Sequence, residues 1–528
     1  MPQESSTRET SRVSQNEPSQ LAGAVMVCGT TSNAGKSTVA AGLCRLYARR
    51  GVRVAPFKAQ NMSNNSAVTP DGHEIARAQA FQAMAAGVDG DVAMNPVLLK
   101  PMEGHRCQVV VMGRPLGTMT AAEYHQRKPE LLDVVLDALG DLRRRYDVVV
   151  LEGAGSPAEI NLLDADIVNL RLAHRAGLPA IVVGDIDVGG VFASLFGTVA
   201  LLPAEYRALV KAFVINKFRG DPALLFDGTA QLEERCGIPT VGVLPWLDGP
   251  EIDSEDSLAL SRPLHGPSAD DSDGSVAPER ADLAGPTDLL DVAVVRLPHI
   301  ANFTDIDPLR MEPGVRLRWV DDGRGVGQPD LLVIPGSKST VADLRWLRSR
   351  RLDEAIGSLR SVVLGICAGY QMLGGSIADP HGVESPEQTT SGLGLLDAST
   401  TFDLDKVTRW RRGRLFGQPA RGYQIHHGVV RAQGPAFVEL DDGAGDGAVG
   451  TTPAGGTVWG TSLHGLLEPD GVRAALLEAV ALRAGKRVGG GWSFEAVRQR
   501  RIDRLADMLE QHLDLGALDR ILAEGAVA

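Results

Sequence analysis

The chain has 528 residues, 44% of them hydrophobic, and its formal net charge at pH 7 is −13. A chain of this length is expected to contain about two to four domains, and its composition is that of a globular protein. The acidic balance argues against a nucleic-acid partner. No apolar run reaches the roughly 18 residues that a membrane-spanning helix needs, so we predict no membrane span.

The five cysteines bear on the cellular compartment. They are scattered, odd in number and without a C-x-x-C pair. This pattern argues against a disulfide framework and a zinc site, and it predicts a reducing, cytoplasmic environment. The cysteines are Cys28, Cys44, Cys107, Cys236 and Cys367.

Shifts in composition divide the chain into five segments. Residues 1–20 are polar and lack the apolar core of a secretion signal, so we predict a disordered tail. Residues 251–290 are rich in Asp, Ser, Pro and Gly, which indicates a flexible acidic linker. It separates a domain at 21–250 from a second at 291–482, and residues 483–528 are a basic, amphipathic extension that we expect to be helical.

Short apolar runs alternate with helical patterns in the first domain. Such strands, separated by helices, predict a doubly wound parallel α/β sheet with ligands at the carboxyl ends of its strands. The predicted strands are Ala24–Cys28, Val52–Phe57, Val148–Glu152, Ala180–Asp185, Ala212–Ile215 and Val241–Leu244.

The first strand opens the stretch AVMVCGTTSNAGKSTVAAGL at 24–43. In it, a loop of small residues separates the strand from a segment that is compatible with a helix. This order is typical of a P-loop, whose backbone N–H groups converge on phosphate oxygens. We predict that Lys36 lies near the transferred phosphate and that Ser37 ligates Mg²⁺. Five residues, instead of the usual four, separate Gly29 from Gly35. The predicted nucleotide contacts here are Gly29, Asn33, Gly35, Lys36, Ser37 and Thr38.

Polar residues follow several other strands. Lys58 begins an Asn-rich run that either forms a simple turn or places Lys58 in contact with a phosphate. Glu74 stands near the start of a helical pattern, where it would cap the helix or bind a metal. Glu152 ends a strand beside the P-loop, the usual place of a second Mg²⁺ anchor. Asn216 follows another strand and is equally consistent with a nucleotide base contact and with a polar loop.

The second domain opens with a strand at Val292–Leu297, and its chemical centre is Cys367 in the sequence GICAG. This G-x-nucleophile-x-G pattern is typical of a strained turn that exposes a reactive side chain beside backbone oxyanion donors. His464 is the candidate base, and His426 and His427 compete with it. Adjacent strand residues point to opposite faces, so at most one of the competitors is expected to face the site.

Three stretches carry a family resemblance: PFKAQNMSNNS at 56–66, AMNPVLLKP at 93–101 and DIDVGGVFA at 185–193. With them, residues 21–482 resemble the cobyric acid synthase family. The first half is similar to P-loop domains of the dethiobiotin synthetase type, which share the five-residue spacing. The second half is similar to class I (triad) glutamine amidotransferases.

The resemblance implies roles for specific residues. Ser37, Glu74 and Glu152 would bind Mg²⁺, and Lys36 and Lys58 would contact phosphates. Cys367 would be the nucleophile and His464 its base. Leu466 occupies the position where many class I domains have a glutamate, and Glu468 is not expected to replace it. The group that orients His464 is therefore left open.

The resemblance further implies ATP- and glutamine-dependent amidation of the b, d, e and g carboxylates of adenosylcobyrinic acid a,c-diamide. Its partners would be small molecules, and the number of subunits stays open. The alternatives are the sister enzyme of the a and c positions, a P-loop positioning ATPase and a thiol hydrolase without ATP chemistry. Thr31 stands where positioning ATPases carry a signature lysine, which argues against that class.

Overall fold

The computed structural model describes residues 21–247, 288–489 and 491–525. The predicted tail at 1–20, and the predicted linker up to residue 287, lie outside these ranges. Two α/β units flank the linker, and no helix in the described ranges is long and apolar enough to cross a membrane.

The first unit contains twelve strands and seven α-helices among the described residues. Its strands are β1 (Gly23–Gly29), β2 (Val54–Phe57), β3 (Gln60–Met62), β4 (Ser66–Val68), β5 (Glu74–Ala76), β6 (Val97–Met102), β7 (Arg106–Val111), β8 (Arg114–Thr120), β9 (Val148–Glu152), β10 (Ala180–Asp185), β11 (Val210–Phe218) and β12 (Thr240–Pro245). Its helices are α1 (Lys36–Arg49), α2 (Arg77–Ala85), α3 (Ala121–Arg145), α4 (Leu170–Ala176), α5 (Val191–Leu201), α6 (Ala204–Arg207) and α7 (Phe226–Cys236).

The six strands predicted for this unit form one parallel sheet in the order β12-β11-β10-β1-β9-β2. Successive residues of β1 point to opposite faces. Met26 packs in an apolar cluster with α3, α4 and α5, whereas Val27 packs in a second cluster with α1. Both faces of the sheet are thus covered, which confirms the doubly wound fold.

The segment between β2 and α3 differs from the expectation. It contains the strands β3 to β8, and the short, polar sequence of this segment did not predict them. Glu74 lies in β5, paired with Val68, and α2 begins only at Arg77. The expectation that Glu74 caps a helix is therefore wrong, because the β4–β5 hairpin precedes that helix.

The second unit and the C-terminal extension contain the remaining elements. The strands are β13 (Leu290–Val295), β14 (Ile300–Ala301), β15 (Val315–Val320), β16 (Leu331–Ile334), β17 (Gly336–Ser337), β18 (Val362–Ile366), β19 (Ser376–Ala378), β20 (Thr389–Ser391), β21 (Ala398–Leu415), β22 (Gln418–Ala432), β23 (Val438–Leu440), β24 (Gly445–Asp446), β25 (Ala448–Thr451) and β26 (Thr457–Thr461). The helices are α8 (Asp307–Arg310), α9 (Gly323–Val326), α10 (Thr340–Ser349), α11 (Leu352–Gly357), α12 (Ala368–Leu373), α13 (Asp470–Ala484), α14 (Phe494–His512) and α15 (Leu515–Glu524).

The core sheet of the second unit has the order β15-β13-β16-β18-β26-β25, parallel except for β25. Ala293 and Val292 of β13 pack in different apolar clusters, so this sheet is also covered on both faces. The long β21–β22 hairpin reaches the first unit, where Trp410 Nε1 donates to the Val68 carbonyl at 2.9 Å.

The C-terminal extension returns to the first unit. Ile502 and Leu509 of α14 belong to the apolar cluster that contains α1, and Arg45 forms an ion pair with Asp503 at 2.7 Å. The P-loop helix is thus packed between its own sheet and the last helices of the chain.

Candidate active site

The phosphate loop lies between β1, which ends at Gly29, and α1, which contains Ser37 and Thr38 in its first turn. The Lys36 ammonium donates to the carbonyls of Thr31, Ser32 and Gly155 at 2.9, 3.2 and 3.0 Å. No side chain caps α1 in the structure. Its first backbone N–H groups therefore suit an anion such as a phosphate.

The end of β11 fixes this loop from the side. Asn216 Nδ2 donates to the Ala34 carbonyl at 2.9 Å, and Lys217 Nζ donates to the Asn33 carbonyl at 2.7 Å. Gly35 has φ 101°, and a Cβ there would lie 2.0 Å from Asn216 Nδ2. Only glycine fits both the backbone angle and the contact. Asn216, for which the sequence was equally consistent with a nucleotide contact and with a polar loop, supports the phosphate loop in this structure.

Two predicted metal ligands meet beside the loop. Ser37 Oγ donates to Glu152 Oε1 at 2.8 Å, and Lys58 Nζ donates to the same oxygen at 2.9 Å. Burial alone would raise the pKa of Glu152, but Lys58 and the hydrogen bonds from Ser37 and Gln82 outweigh it and lower the pKa. A hydroxyl and an ionised carboxylate are the oxygen donors that Mg²⁺ prefers, so these residues fit the ion.

Glu74, the third predicted ligand, belongs to a different cluster. Glu74 Oε1 accepts from Lys100 at 2.7 Å and from Ser66 at 2.8 Å, and Lys406 of the second unit donates to the other oxygen. Burial opposes ionisation of Glu74, but Lys100 and Lys406 lower its pKa. In the described ranges no three His, Cys, Asp or Glu side chains are grouped to bind a metal. The structure thus joins only Ser37 and Glu152.

In the second unit, Cys367 lies in the turn between β18 and α12. Its φ of 53° and ψ of −108° are strained for a residue with a side chain. The GICAG pattern has a local cause, because a Cβ at Gly369 would lie 2.0 Å from the carbonyl oxygen of Ile334. Gly336 passes close by, since a Cβ there would lie 3.1 Å from His464 Cε1 and 3.8 Å from Cys367 Cβ.

The structure brings His464 to Cys367 and identifies the group that orients it. His464 and the thiol line the same cavity and interact electrostatically, and His464 Nδ1 lies 2.7 Å from Asp305 Oδ2. The other Asp305 oxygen accepts from the Gly465 backbone at 2.7 Å. Burial would lower the pKa of His464, but Asp305 and then Cys367 outweigh it and raise the pKa to about 10.

Sequence reasoning missed Asp305. It lies far from the thiol in the chain, in the turn segment that follows β14. Sequence offered one indication: Asp305 follows β13, the first strand of the second sheet, and ligands bind at the carboxyl ends of the strands in such sheets. The carboxylate of Glu468 pairs with Arg77 at 2.8 Å and with Arg498 at 3.2 Å, whereas His464 pairs with Asp305.

The expectation for the paired histidines is wrong. His426 and His427 line the same cavity as Cys367. The β21–β22 register shifts between Phe402 and Val407, and His427 has no cross-strand partner there. Such a bulge breaks the regular alternation of faces. Burial is the main cause that lowers the pKa of each histidine to about 4.

The chain therefore contains a phosphate-binding loop in one α/β unit and a cysteine–histidine–aspartate constellation in the other. Residues 25–258 match the family described as the CobQ/CobB/MinD/ParA nucleotide binding domain. Residues 291–472 match the family described as the CobB/CobQ-like glutamine amidotransferase domain. The protein is thus a glutamine amidotransferase joined to a nucleotide-binding domain.

Relatives of similar length narrow this class. The cobyric acid synthase of Nocardia farcinica is 51% identical over 522 residues, which cover 96% of this chain and 98% of that one. Those of Rhodococcus jostii and Streptomyces coelicolor are each 50% identical over 96% of this chain and 97% of theirs. The chain belongs to the cobyric acid synthase family, the glutamine-dependent amidating ligases of cobalamin biosynthesis.

Proposed function

We propose that this protein amidates the b, d, e and g carboxylates of adenosylcobyrinic acid a,c-diamide, with ATP as phosphoryl donor and glutamine as nitrogen donor. The observation that carries the proposal is the contact of His464 with both Cys367 and Asp305, in a chain that also has a phosphate loop. The family supports the substrate, and the site geometry supports the chemistry. A cytoplasmic location stays a prediction.

The first half-reaction releases ammonia. His464, whose pKa is raised to about 10, takes up the thiol proton, so Cys367 attacks the side-chain amide carbon of glutamine as a thiolate. His464 then transfers the proton to the departing nitrogen. Asp305 accepts a hydrogen bond from His464 Nδ1 and stabilises the imidazolium. Backbone N–H groups at Ala368 and at Gly336–Ser337 would stabilise the oxyanion. Water then cleaves the thioester, which gives glutamate and restores the thiol.

The second half-reaction consumes the ammonia. A corrinoid carboxylate attacks the γ-phosphate of ATP, ADP departs, and an acyl phosphate forms. Lys36 and Lys58 would neutralise phosphate charge, and Ser37 and Glu152 would bind Mg²⁺. When bound, Mg²⁺ would screen the phosphate oxygens. Ammonia then displaces phosphate from the acyl carbon and leaves a carboxamide, because phosphate is a far better leaving group than oxide.

Mass spectrometry of the corrinoid product tests this proposal. The full chain, incubated with the a,c-diamide, ATP, Mg²⁺ and glutamine, should convert four carboxylates to four carboxamides. A parallel reaction with cobyrinic acid addresses the sister activity. Amidation of cobyrinic acid to the a,c-diamide, without further conversion of the diamide, would contradict the proposal.

A further inference from the structure

The cavity at Cys367 has charged walls that the half-reactions above do not use. Its volume is about 40 Å³, and its lining includes Lys338, Glu384, Lys100 and Lys406. Lys100 comes from the first unit, so the two units close the cavity together. Lys100 and Lys406 both donate to Glu74, and that carboxylate already compensates them.

Lys338 is the cation in this cavity that lacks such compensation. The residue is only 7% exposed, yet in the described part of the chain its ammonium has neither a hydrogen-bond acceptor nor an ion-pair partner. Burial lowers the pKa of Lys338, and Glu384 is the strongest of the groups that oppose this. A buried ammonium is costly unless an anion accompanies it, so this position calls for an anionic ligand group.

Glu384 supplies the opposite charge. One of its oxygens accepts from the Thr340 backbone N–H at 3.0 Å, which fixes the carboxylate at the start of α10. Burial raises the pKa of Glu384, and Lys338 is the strongest group acting against this. Glu384 and Lys338 attract each other but form no ion pair among the described residues. A ligand with both charges can therefore bind between them.

The charged pair lies in the same cavity as the reactive thiol. Lys338 is near enough to Cys367 for their charges to interact, and both line the same cavity. His426 also lines it, and neither of its ring nitrogens has a partner. Its neutral imidazole offers hydrogen bonds but no charge. Recognition of a charged head group at this end of the cavity is therefore left to Lys338 and Glu384.

We propose that Lys338 binds the α-carboxylate of the amide donor, that Glu384 binds its α-ammonium group, and that the pair selects a free α-amino acid. This inference rests on the proposed function, because it assigns the recognition of glutamine at the same thiol. The pair would make a free amino acid a better nitrogen source than a simple amide or a peptide-bound glutamine. Both residues would act in binding, without a part in bond making.

Substrates that lack one charge test the assignment. 4-Aminobutanamide is glutamine without its α-carboxylate, and glutaramate is glutamine without its α-amine. In the wild-type chain, either deletion should lower kcat/KM for amide hydrolysis about 10- to 100-fold, the usual effect of losing a charged hydrogen bond. Lys338→Met should cause the same loss with L-glutamine and glutaramate, mainly through KM, but leave 4-aminobutanamide within about threefold. Glu384→Gln should spare glutaramate instead.

Two matched variants control the experiment. Glu387→Gln removes a carboxylate on the same loop that pairs with Arg345 at 3.0 Å outside the cavity, and Lys211→Met removes a lysine of the first unit. Neither should change the preference among the three amides, and all four variants should keep ammonium-dependent amidation. Equal losses for all three amides in Lys338→Met, or an unchanged KM for L-glutamine, would overturn the assignment. A wild-type chain that releases no ammonia from glutamine would instead refute the proposed function.

Discussion

The phosphate loop and the thiol turn both follow the carboxyl end of a parallel strand, but they arrange charge differently. At the loop, Lys36 donates to three neutral backbone carbonyls, and Lys58 neutralises Glu152. At the turn, His464 is already hydrogen-bonded to Asp305 and interacts electrostatically with Cys367. Phosphate binding would therefore exchange hydrogen bonds of Lys36 to neutral carbonyls for an ion pair, whereas the thiol site needs no exchange.

The phosphate loop and the thiol turn also differ in backbone strain. The positive φ at the loop belongs to Gly35, which adopts it without steric penalty. The positive φ at the turn belongs to Cys367 itself, and such a backbone costs on the order of 1–3 kcal/mol. Packing of Gly369 against the Ile334 carbonyl maintains that strain. One site is thus adjustable and made by backbone, and the other is rigid and made by side chains.

Removal of the thiol should have the largest effect and separate the two regions cleanly. Cys367→Ser replaces the thiol with a weaker nucleophile, and glutamine-dependent amidation should fall about 10⁴-fold or more. Amidation with ammonium chloride should persist, because the phosphate loop is untouched. The check is the initial rate with each nitrogen source. Loss of both rates would contradict two separate sites.

Lys36→Ala is the reciprocal change. Loss of the positive charge near the phosphates should slow amidation about 10²- to 10³-fold with either nitrogen source. Hydrolysis of glutamine alone should continue, since the Thr31, Ser32 and Gly155 carbonyls that accept from Lys36 belong to the first unit, and the thiol lies in the second. The measurement compares glutamate release with corrinoid amidation. A parallel decline of both activities would mean that the two regions act as one site.

Glu74→Gln probes the cluster that joins the units. It leaves the buried ammonium groups of Lys100 and Lys406 without their anion, so the free energy of unfolding should fall by about 3–5 kcal/mol. The pKa of Glu74 is lowered in the folded chain, so its stabilisation is present above about pH 4.5 and declines as pH falls through the folded value. Urea unfolding at pH 7 and at pH 4 measures this.

The exposed pair Arg345–Glu387 provides the control, because Glu387→Gln should change stability by less than about 1 kcal/mol. The difference in the free energy of unfolding between the wild type and Glu74→Gln should become smaller as the pH is lowered. If amidation were lost while stability stayed at the wild-type value, Glu74 would act as a metal ligand, as the family resemblance implies.

The features that sequence predicted are those that local patterns determine. The six strands of the first sheet are continuous apolar runs, and GKST and GICAG are contiguous motifs. Asp305 could not be assigned, because its role depends on a contact with His464, 159 residues away in the chain. The position of Glu74 depends equally on Lys406 from the other unit, 332 residues away. Long-range pairing of charges, not local propensity, decided both.

Asp305→Asn tests the rigid site with a smaller effect. The change keeps the side-chain volume but removes the charge that opposes the desolvation of His464, so the pKa of His464 should fall from about 10. The imidazolium that protonates the departing nitrogen would then be lost at lower pH. We expect kcat with glutamine to fall about 10²-fold at pH 7. The alkaline limb of the pH profile should move to lower pH, and the rate with ammonium chloride should not change.

The direction of this shift separates orientation from simple structural damage. Asp305 raises the pKa of His464, so its stabilisation of the imidazolium is complete below about pH 6.5 and is lost as pH rises through about 10. Asp305→Glu restores a carboxylate and should recover part of kcat and of the alkaline limb. A uniform loss of rate with an unmoved pH profile in Asp305→Asn would show that Asp305 only supports the Gly465 backbone, to which its second oxygen is hydrogen-bonded.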